Sequence, residues 1–170
     1  MDITVIELSS DHSREYLALR QLSETDLPQY VGPSVERELI AGSDAIASIL
    51  SAYPSEGTLI LGAFADKKLV GVISISRKLS PKFKHRAFIW GMYIVEEYRK
   101  VSVGELLLRR AKEWAQKHSE VNTLWLQVTT SNQPAVSFYT KHGFTTYGTE
   151  TKALYALGEY HDVHYMQMTA

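Results

Sequence analysis

The sequence has 170 residues, 45% hydrophobic and 22% charged, a composition typical of one folded globular domain. Eighteen basic and nineteen acidic side chains give a formal net charge of −1, so the chain lacks the basic excess of a nucleic-acid-binding protein. The absence of cysteine excludes a disulfide scaffold, a thiol nucleophile and cysteine-ligated zinc. Because apolar runs are short and the N-terminus does not resemble a signal peptide, we expect a cytoplasmic protein without a membrane partner.

The N-terminal third predicts one strand followed by helices. The β-branched run at residues 2–8 favours a short strand. From Asp11 onward, apolar residues recur at helical spacing, and the Pro- and Gly-containing stretch at 28–33 ends this segment. A second helical stretch begins near Ser34. The pattern allows residues 44–52 either to continue this stretch or to form a third helix.

The rest of the chain predicts a succession of strands with two helices between them. Residues 58–65 and 68–78 are strand-like runs joined by two residues, which is typical of a hairpin. Residues 86–95 are almost continuously apolar, as in a strand covered on both faces. The remaining predicted elements are a helix from about residue 103, a strand at 123–128, a short helix at 132–142, and an antiparallel pair of strands at 145–154 and 160–168. Residues 1–170 are therefore predicted to form a single α/β domain.

Residues 87–114 contain the clearest chemical signal. A buried strand ends in EEYR, a short turn follows, and an amphipathic helix begins near Val103. A helix N-terminus presents unpaired N–H groups and a partial positive charge, which together suit a phosphate. Arg99 and Lys100 place side-chain cations at the same corner, although such residues after a strand are often only solvated charges. The sequence therefore predicts a pyrophosphate site at residues 99–104.

This segment resembles the central motif of the GNAT superfamily of N-acetyltransferases, in which a strand leads into an R-x-x-G-x-G/A loop and a helix. Here the loop reads RKVSVG, in which Arg99 and Gly104 match the motif and Ser102 replaces its first glycine. Glu96 stands at the turn position that is usually proline.

A second block, LWLQVTTSNQPAVSFYTKHGF at residues 124–144, is similar to the next motif of the same family. The shared pattern is a strand, an asparagine with an alanine three residues later, a Phe-Tyr pair and a Gly-Phe pair. The two blocks span about residues 85–145, and the last two predicted strands resemble those of one group of these enzymes.

The resemblance implies a GNAT-like α/β (α+β) fold, with a mixed, mostly antiparallel sheet of six to seven strands flanked by helices. It also implies acetyl-CoA as co-substrate, wedged between the fourth and fifth strands. Backbone groups of the fourth strand would bind the pantetheine arm, loop amides would hold the pyrophosphate, and an asparagine would contact the coenzyme arm. By this resemblance, the strand residues that bind the pantetheine arm are Met92, Tyr93 and Ile94. The loop residues that hold the pyrophosphate are Arg99, Lys100, Val101, Ser102, Val103 and Gly104. The asparagine that contacts the coenzyme arm is Asn132.

Tyr139 is the residue that the resemblance places beside the coenzyme sulfur, as both a coenzyme contact and a catalytic residue. A phenol with an ordinary pKa near 10 can protonate a departing thiolate, so Tyr139 is a reasonable general acid. The alternative is a packing role in the core. Ser102 also leaves two alternatives open, because its hydroxyl either adds a phosphate hydrogen bond or its side chain weakens the site. Asn132 suits a helix N-cap as well as a coenzyme contact.

The general base is missing from the pattern. Some members of the family have a glutamate five residues before the asparagine, but this chain has Gln127, which cannot act as a base. Glu36, Glu38 or a water chain are the alternatives. The expected acceptor is a small-molecule or peptide amine, and homodimers are common in the family. Transfer of a longer acyl group and a non-catalytic acyl-CoA-binding sensor remain as rival functions.

The sequence His161-Asp162-Val163-His164 contains three residues of types that bind metals. Residues three apart on a strand point to opposite faces of a sheet, so the two histidines would not converge. We therefore predict no metal site here.

Overall fold

The computed structural model describes residues 2–30 and 34–170, and over these ranges it contains seven strands and four helices of two turns or more. The strands are β1 (Ile3–Glu7), β2 (Thr58–Ala65), β3 (Lys68–Arg77), β4 (Arg86–Ile94), β5 (Thr123–Thr129), β6 (Thr145–Ala156) and β7 (Glu159–Thr169). The helices are α1 (Ser13–Asp26), α2 (Ser34–Ala52), α3 (Val103–Lys117) and α4 (Gln133–Lys141). The predicted elements are present in the predicted order. The two helical stretches expected after residue 34 are one assigned element, interrupted at Gly42 by a non-helical conformation (φ 79°, ψ 172°).

The strands form one sheet in the order β1-β2-β3-β4-β5-β7-β6. Every neighbouring pair is antiparallel except β4 and β5, which are parallel. The prediction of a mixed, mostly antiparallel sheet of six to seven strands is therefore confirmed. The final strand β7 lies between β5 and β6, so that β6 is an edge strand.

Helices cover the two faces of the sheet unequally. One core cluster combines the apolar side of α3, including Leu107 and Ala111, with alternate residues of β2 to β5 and with Tyr139 from α4. The second cluster, on the opposite face, joins α1 and α2 to residues of β2, β3 and β4. In a regular strand Ile89 and Tyr93 would point to the same face, but the irregularity at Gly91 and Met92 shifts the alternation, so β4 contributes Ile89 to the first cluster and Tyr93 to the second. The residues between its buried positions are only half-buried, so β4 is less completely covered than its apolar sequence predicts.

The parallel pairing between β4 and β5 is short. It joins residues 86–89 of β4 to residues 123–126 of β5 and then ends. Beyond it, β4 contains an irregularity opposite β3, where Gly91 has a φ of +62° and neither Gly91 nor Met92 has a register partner. The edge of β4 that faces β5 is therefore unpaired from residue 90 to residue 94. The two strands separate at this point, which lies in the middle of the sheet.

Candidate active site

Three elements that the sequence motifs single out meet where β4 and β5 separate. Gly104, at the start of α3, lies so close to β4 and α4 that a Cβ atom there would be 3.1 Å from Ile94 Cδ1 and 3.2 Å from Met92 Cε. The same Cβ would be 3.4 Å from Phe138 Cε2 on α4. The structure thus brings the loop, the unpaired part of β4 and α4 to one place.

The loop before α3 directs several amides away from the protein. Lys100 and Ser102 have left-handed backbone angles, with φ of 68° and 65°. Alternation of such residues with residues of negative φ turns neighbouring N–H groups towards a common side, as in anion-binding nests. The first amide of this segment with a backbone acceptor is that of Leu106, which donates to the Ser102 carbonyl at 3.0 Å. Among the described residues, no amide from Lys100 to Glu105 donates a backbone hydrogen bond of good geometry, although residues 99–102 form a turn, so this segment can direct amides to an anion.

Ser102 occupies a conformation that favours glycine. A left-handed conformation costs a non-glycine residue roughly 1–2 kcal/mol, because Cβ approaches the following carbonyl oxygen. This cost explains physically why the motif has glycine at this position. The loop of this chain adopts the conformation despite the serine.

We predict that Ser102→Gly stabilises the protein. Relief of the left-handed strain should exceed the roughly 0.5–1 kcal/mol that the added freedom of glycine costs, leaving a net gain of about 0.5–1 kcal/mol. Urea unfolding measures the gain, and Ser102→Ala is the control, because it keeps the strain and should show no increase. Equal stability of wild type and Ser102→Gly would contradict the prediction.

Arg99 is bound within the protein rather than directed at the loop. Its backbone amide donates to the Glu96 carbonyl at 3.1 Å, its Nε donates to the Ile94 carbonyl at 2.9 Å, and its Nη2 forms an ion pair with Asp26. The sequence predicted that Arg99 would add a cation and an amide to the phosphate corner, but both groups already have partners. Lys100, by contrast, is exposed and has no ion pair among the described residues.

Asp26, at the end of α1, is a residue that the sequence analysis did not identify. Its Oδ2 accepts a hydrogen bond from the Tyr93 hydroxyl at 2.9 Å as well as the ion pair from Arg99. The Arg99 guanidinium also lies 5.5 Å from the centre of the Tyr93 ring. Burial, reinforced by the bond to Asp26, raises the pKa of Tyr93 to about 12. One carboxylate thus joins α1 to β4 and to the loop.

The acid dependence of stability tests this link. The hydrogen bond from Arg99 lowers the pKa of Asp26, so the carboxylate contributes its full stability above the unfolded-state pKa near 3.9. That contribution is lost as the pH falls through the lower folded-state pKa. Asp26→Asn should therefore lose stability less steeply than wild type below about pH 4. Denaturant unfolding between pH 3 and pH 7 measures the difference, and parallel curves would contradict the assignment.

Tyr139 lies on α4, on the α3 side of the separating strands. The side chain is only 8% exposed, and its hydroxyl donates to Met92 Sδ at 3.3 Å. The rings of Phe138 and Phe144 contact it edge-on, with centroids 5.3 and 5.6 Å away. Burial raises the pKa of the Tyr139 phenol well above its ordinary value. The structure therefore places a protonated hydroxyl beside β4, with a weak thioether acceptor as its partner.

Asn132 immediately precedes α4, and its side-chain oxygen accepts a hydrogen bond from the Ala135 amide at 3.3 Å. The N-cap interpretation of this residue is therefore correct. Its contact with a coenzyme arm stays a prediction.

Neither proposed carboxylate base is favoured by the structure. Glu38 is 8% exposed, and its two oxygens accept hydrogen bonds from the Tyr16 hydroxyl at 2.8 Å and from Arg20 Nε at 2.7 Å. Loss of one partner of such a buried pair leaves an uncompensated charge, so Glu38 is best explained as a structural residue. Arg20 also lies 3.4 Å from the Gly91 carbonyl, which links this ion pair to the irregular part of β4. Glu36 is exposed on α2.

The second face of the separated strands is lined by polar groups. Gln127 is exposed on β5 and is the first residue after the last β4–β5 pair. It lies opposite Tyr165 of β7, whose hydroxyl donates to Glu150 Oε2 at 2.6 Å. The connection after α1 reaches this end of β5, where Thr129 Oγ1 donates to the Gln29 carbonyl at 3.4 Å. These groups lie on the face of the sheet opposite Tyr139.

The histidines near the C-terminus have separate partners. His161 Nε2 lies 3.2 Å from the Ala156 carbonyl, and His164 Nδ1 lies 2.8 Å from Thr149 Oγ1. Across residues 2–30 and 34–170 there is no group of three metal-binding side chains that could hold an ion. No helix in the described part of the chain is long and apolar enough to cross a membrane.

Comparison with known proteins adds independent findings. Residues 17–144 match the family model described as the acetyltransferase (GNAT) family. No curated protein sequence matches the chain significantly. The fold is similar to that of a GNAT-family acetyltransferase from Streptococcus pneumoniae, with 26% identity over 99% of each chain and a TM-score of 0.86.

Two further solved structures share the fold at lower identity. A putative acetyltransferase from Salmonella typhimurium, solved with its cofactor acetyl-CoA, is 13% identical over 99% of this chain and 94% of its own, with a TM-score of 0.84. A ribosomal-protein-alanine N-acetyltransferase from Brucella melitensis is 18% identical over 98% of this chain and 99% of its own, with a TM-score of 0.83. At these identities the likeness concerns the fold.

Proposed function

Because the chain belongs to the acetyltransferase (GNAT) family, we propose that it moves an acetyl group from acetyl-CoA directly to the primary amine of a small-molecule or peptide acceptor. Acetyl-CoA is the co-substrate that this family uses, and it is bound in the Salmonella structure with the same fold. The observation that carries the proposal is the separation of β4 from β5, with a buried hydroxyl on one face and exposed polar side chains on the other. We propose that residues 1–170 act as one catalytic domain.

The residues present fit the coenzyme. The amides from Lys100 to Glu105 suit the pyrophosphate, because they form part of a nest at the N-terminus of a fifteen-residue helix. The edge of β4 from Met92 to Ile94 has no partner strand on the β5 side, and its groups other than the Ile94 carbonyl, which accepts from Arg99, suit the amide groups of a pantetheine arm. In this proposal Asn132 contacts the same arm, and Arg99 acts indirectly by fixing the Ile94 carbonyl and the loop.

Tyr139 is the proposed general acid. The amine attacks the thioester carbonyl, a β4 amide near Met92 stabilises the oxyanion, and the Tyr139 hydroxyl protonates the departing thiolate. The hydroxyl is able to exchange partners, because thioether sulfur is only a weak acceptor. Burial raises the pKa of the phenol, and an apolar environment also raises the pKa of a thiol, so the two effects on the proton transfer partly offset each other.

A thiol-release assay tests the function. The protein is mixed with acetyl-CoA and, separately, with an alanyl peptide, lysine, spermidine and kanamycin, and free coenzyme A is measured with a thiol reagent. We expect release that depends on the amine and an acetylated product detected by mass spectrometry. Faster release with butyryl-CoA would identify a longer acyl group as the substrate. A rise in melting temperature with coenzyme A but no release with any amine would indicate a sensor instead.

A further inference from the structure

Three polar side chains lie in a row across strands β5, β7 and β6, on the face of the sheet opposite Tyr139. We call Gln127, Tyr165 and Glu150 the polar row. Gln127 and Tyr165 are register partners on neighbouring strands, and their side chains lie on the same face of the sheet. The Tyr165 hydroxyl in turn donates to Glu150 Oε2 at 2.6 Å. The row thus leads from the point where β4 and β5 separate to a carboxylate on the edge strand.

We propose that Glu150 is the proton acceptor of the transfer reaction and that the Tyr165 hydroxyl relays the proton to it. This inference rests on the proposed function and supplies the base that the sequence lacks at Gln127. It replaces Glu36 and Glu38 in that role.

The position of Gln127 supports this assignment. Leu126 and Val128, its neighbours on β5, point into the core cluster that contains Tyr139. Since alternate side chains of a strand point to opposite faces, Gln127 points to the other face. The acid and the polar row therefore lie on opposite sides of the sheet at the same separation of strands. That arrangement suits an amine that attacks from one side while the thiolate leaves towards the other.

The hydrogen-bond directions support a relay. The carboxylate of Glu150 only accepts, so the proton between the two side chains belongs to Tyr165 and points along the row. When the amine nitrogen forms its bond to the acetyl carbon, it loses a proton to the Tyr165 oxygen, directly or through one water. The proton already on Tyr165 passes to Glu150 at the same time. The hydroxyl ends as it began, the carboxylate becomes a carboxylic acid, and solvent removes its proton.

The surroundings of the row contain few competing ionisable groups. Tyr147 of β6 contacts the Tyr165 ring edge-on with centroids 6.1 Å apart. The residues beside Tyr165 on the same face of β7 are Val163 and Gln167, which do not titrate. His164 points to the opposite face, where it contacts Thr149. Among the described residues, Glu150 is thus the only carboxylate that accepts a hydrogen bond from the Tyr165 hydroxyl.

Stability does not explain the row. Glu150 is exposed and Tyr165 only half-buried, and interactions between exposed polar groups contribute at most about 1 kcal/mol. Variants in the row should therefore fold normally, which separates a catalytic role from a structural one.

Glu150→Gln and Tyr165→Phe test the proposal in the thiol-release assay, with the amine of the panel that wild type uses best. Glutamine can still accept the hydrogen bond from Tyr165 but cannot take up a proton. We expect kcat to fall about 10- to 100-fold in each variant, which reaches only the lower limit of the range for a general base, because water can replace part of the relay. The KM for acetyl-CoA and the melting temperature should be unchanged. The rate of Glu150→Gln should continue to rise at pH values where wild type has levelled off, because solvent must then accept the proton.

Glu159→Gln is the matched control, because Glu159 is an exposed glutamate of β7 outside the row. It should keep the wild-type rate and pH profile. Wild-type activity and pH profile in Glu150→Gln would overturn the relay while leaving the acetyltransferase proposal intact. If the wild-type protein released no coenzyme A in response to any amine, both the relay and the acetyltransferase proposal would be overturned. A fall in kcat in Glu150→Gln but not in Tyr165→Phe would also contradict the relay.

Discussion

Gly104→Asp should abolish the binding of acetyl-CoA. The new carboxylate would stand at the start of α3, where the amides of the loop would hold the pyrophosphate. Two like charges about 4 Å apart at a protein surface repel by about 4 kcal/mol, which corresponds to roughly a thousandfold loss of affinity. The side chain must also displace Ile94 and Met92, whose atoms lie 3.1 and 3.2 Å from the position of the added Cβ. Isothermal titration calorimetry with coenzyme A measures the loss.

Two variants separate charge from crowding in this experiment. Gly104→Ala adds the Cβ without the charge, and because its contacts are ends of flexible side chains, we expect a loss of no more than about tenfold, or 1.4 kcal/mol. Gly148→Asp adds the same charge on β6, where a Cβ would meet nothing within 4 Å, and should bind as wild type does. Normal affinity in folded Gly104→Asp would show that the loop is not the phosphate site.

Tyr139→Phe should lower kcat by about 100- to 1,000-fold, within the usual range for loss of a general acid. The ring continues to pack against Phe138 and Phe144, so only the hydroxyl and its contact with Met92 disappear. The affinity for coenzyme A should remain within about twofold, because a bond to a departing thiolate forms mainly in the transition state. Steady-state kinetics and calorimetry measure the two quantities.

Tyr155→Phe is the control for this substitution. Tyr155 is 64% exposed on β6 and has no part in the site, so its variant should have the wild-type kcat. If Tyr139→Phe lost affinity and turnover to the same extent, Tyr139 would be a packing residue, as the alternative interpretation holds. An unchanged kcat would remove it from the mechanism altogether.

Local signals in the sequence were sufficient for most of the fold. Periodicity predicted β2, β3 and α3 closely, because each has an uninterrupted apolar pattern that only one secondary structure can bury. The sequence marked residue 102 as unusual, since serine replaces the motif glycine there, but the positive φ of Ser102 became apparent only in the structure. Local signals did not predict the order of β6 and β7 in the sheet, since both strands suit an edge equally well by composition.

The parts of the site that escaped prediction depend on contacts between distant residues. Asp26 precedes its partner Arg99 by 73 positions, and nothing in the sequence around Asp26 marks it as part of a coenzyme corner. Glu38 looked like a free base, because burial against Arg20 and Tyr16 arises only when α1 and α2 pack together. Glu150 was overlooked because its hydrogen-bond partner belongs to another strand.

The placement of β7 has a consequence for how the chain acquires its shape during synthesis. β6 leaves the ribosome before β7, yet its only neighbour in the sheet is β7, so it has no template until the last strand appears. β6 can therefore join the sheet only after β7 has been synthesised. A nascent chain that stops before residue 159 would expose the unpaired edge of β5 to solvent. We expect chaperones, or a second incomplete chain, to bind at that edge.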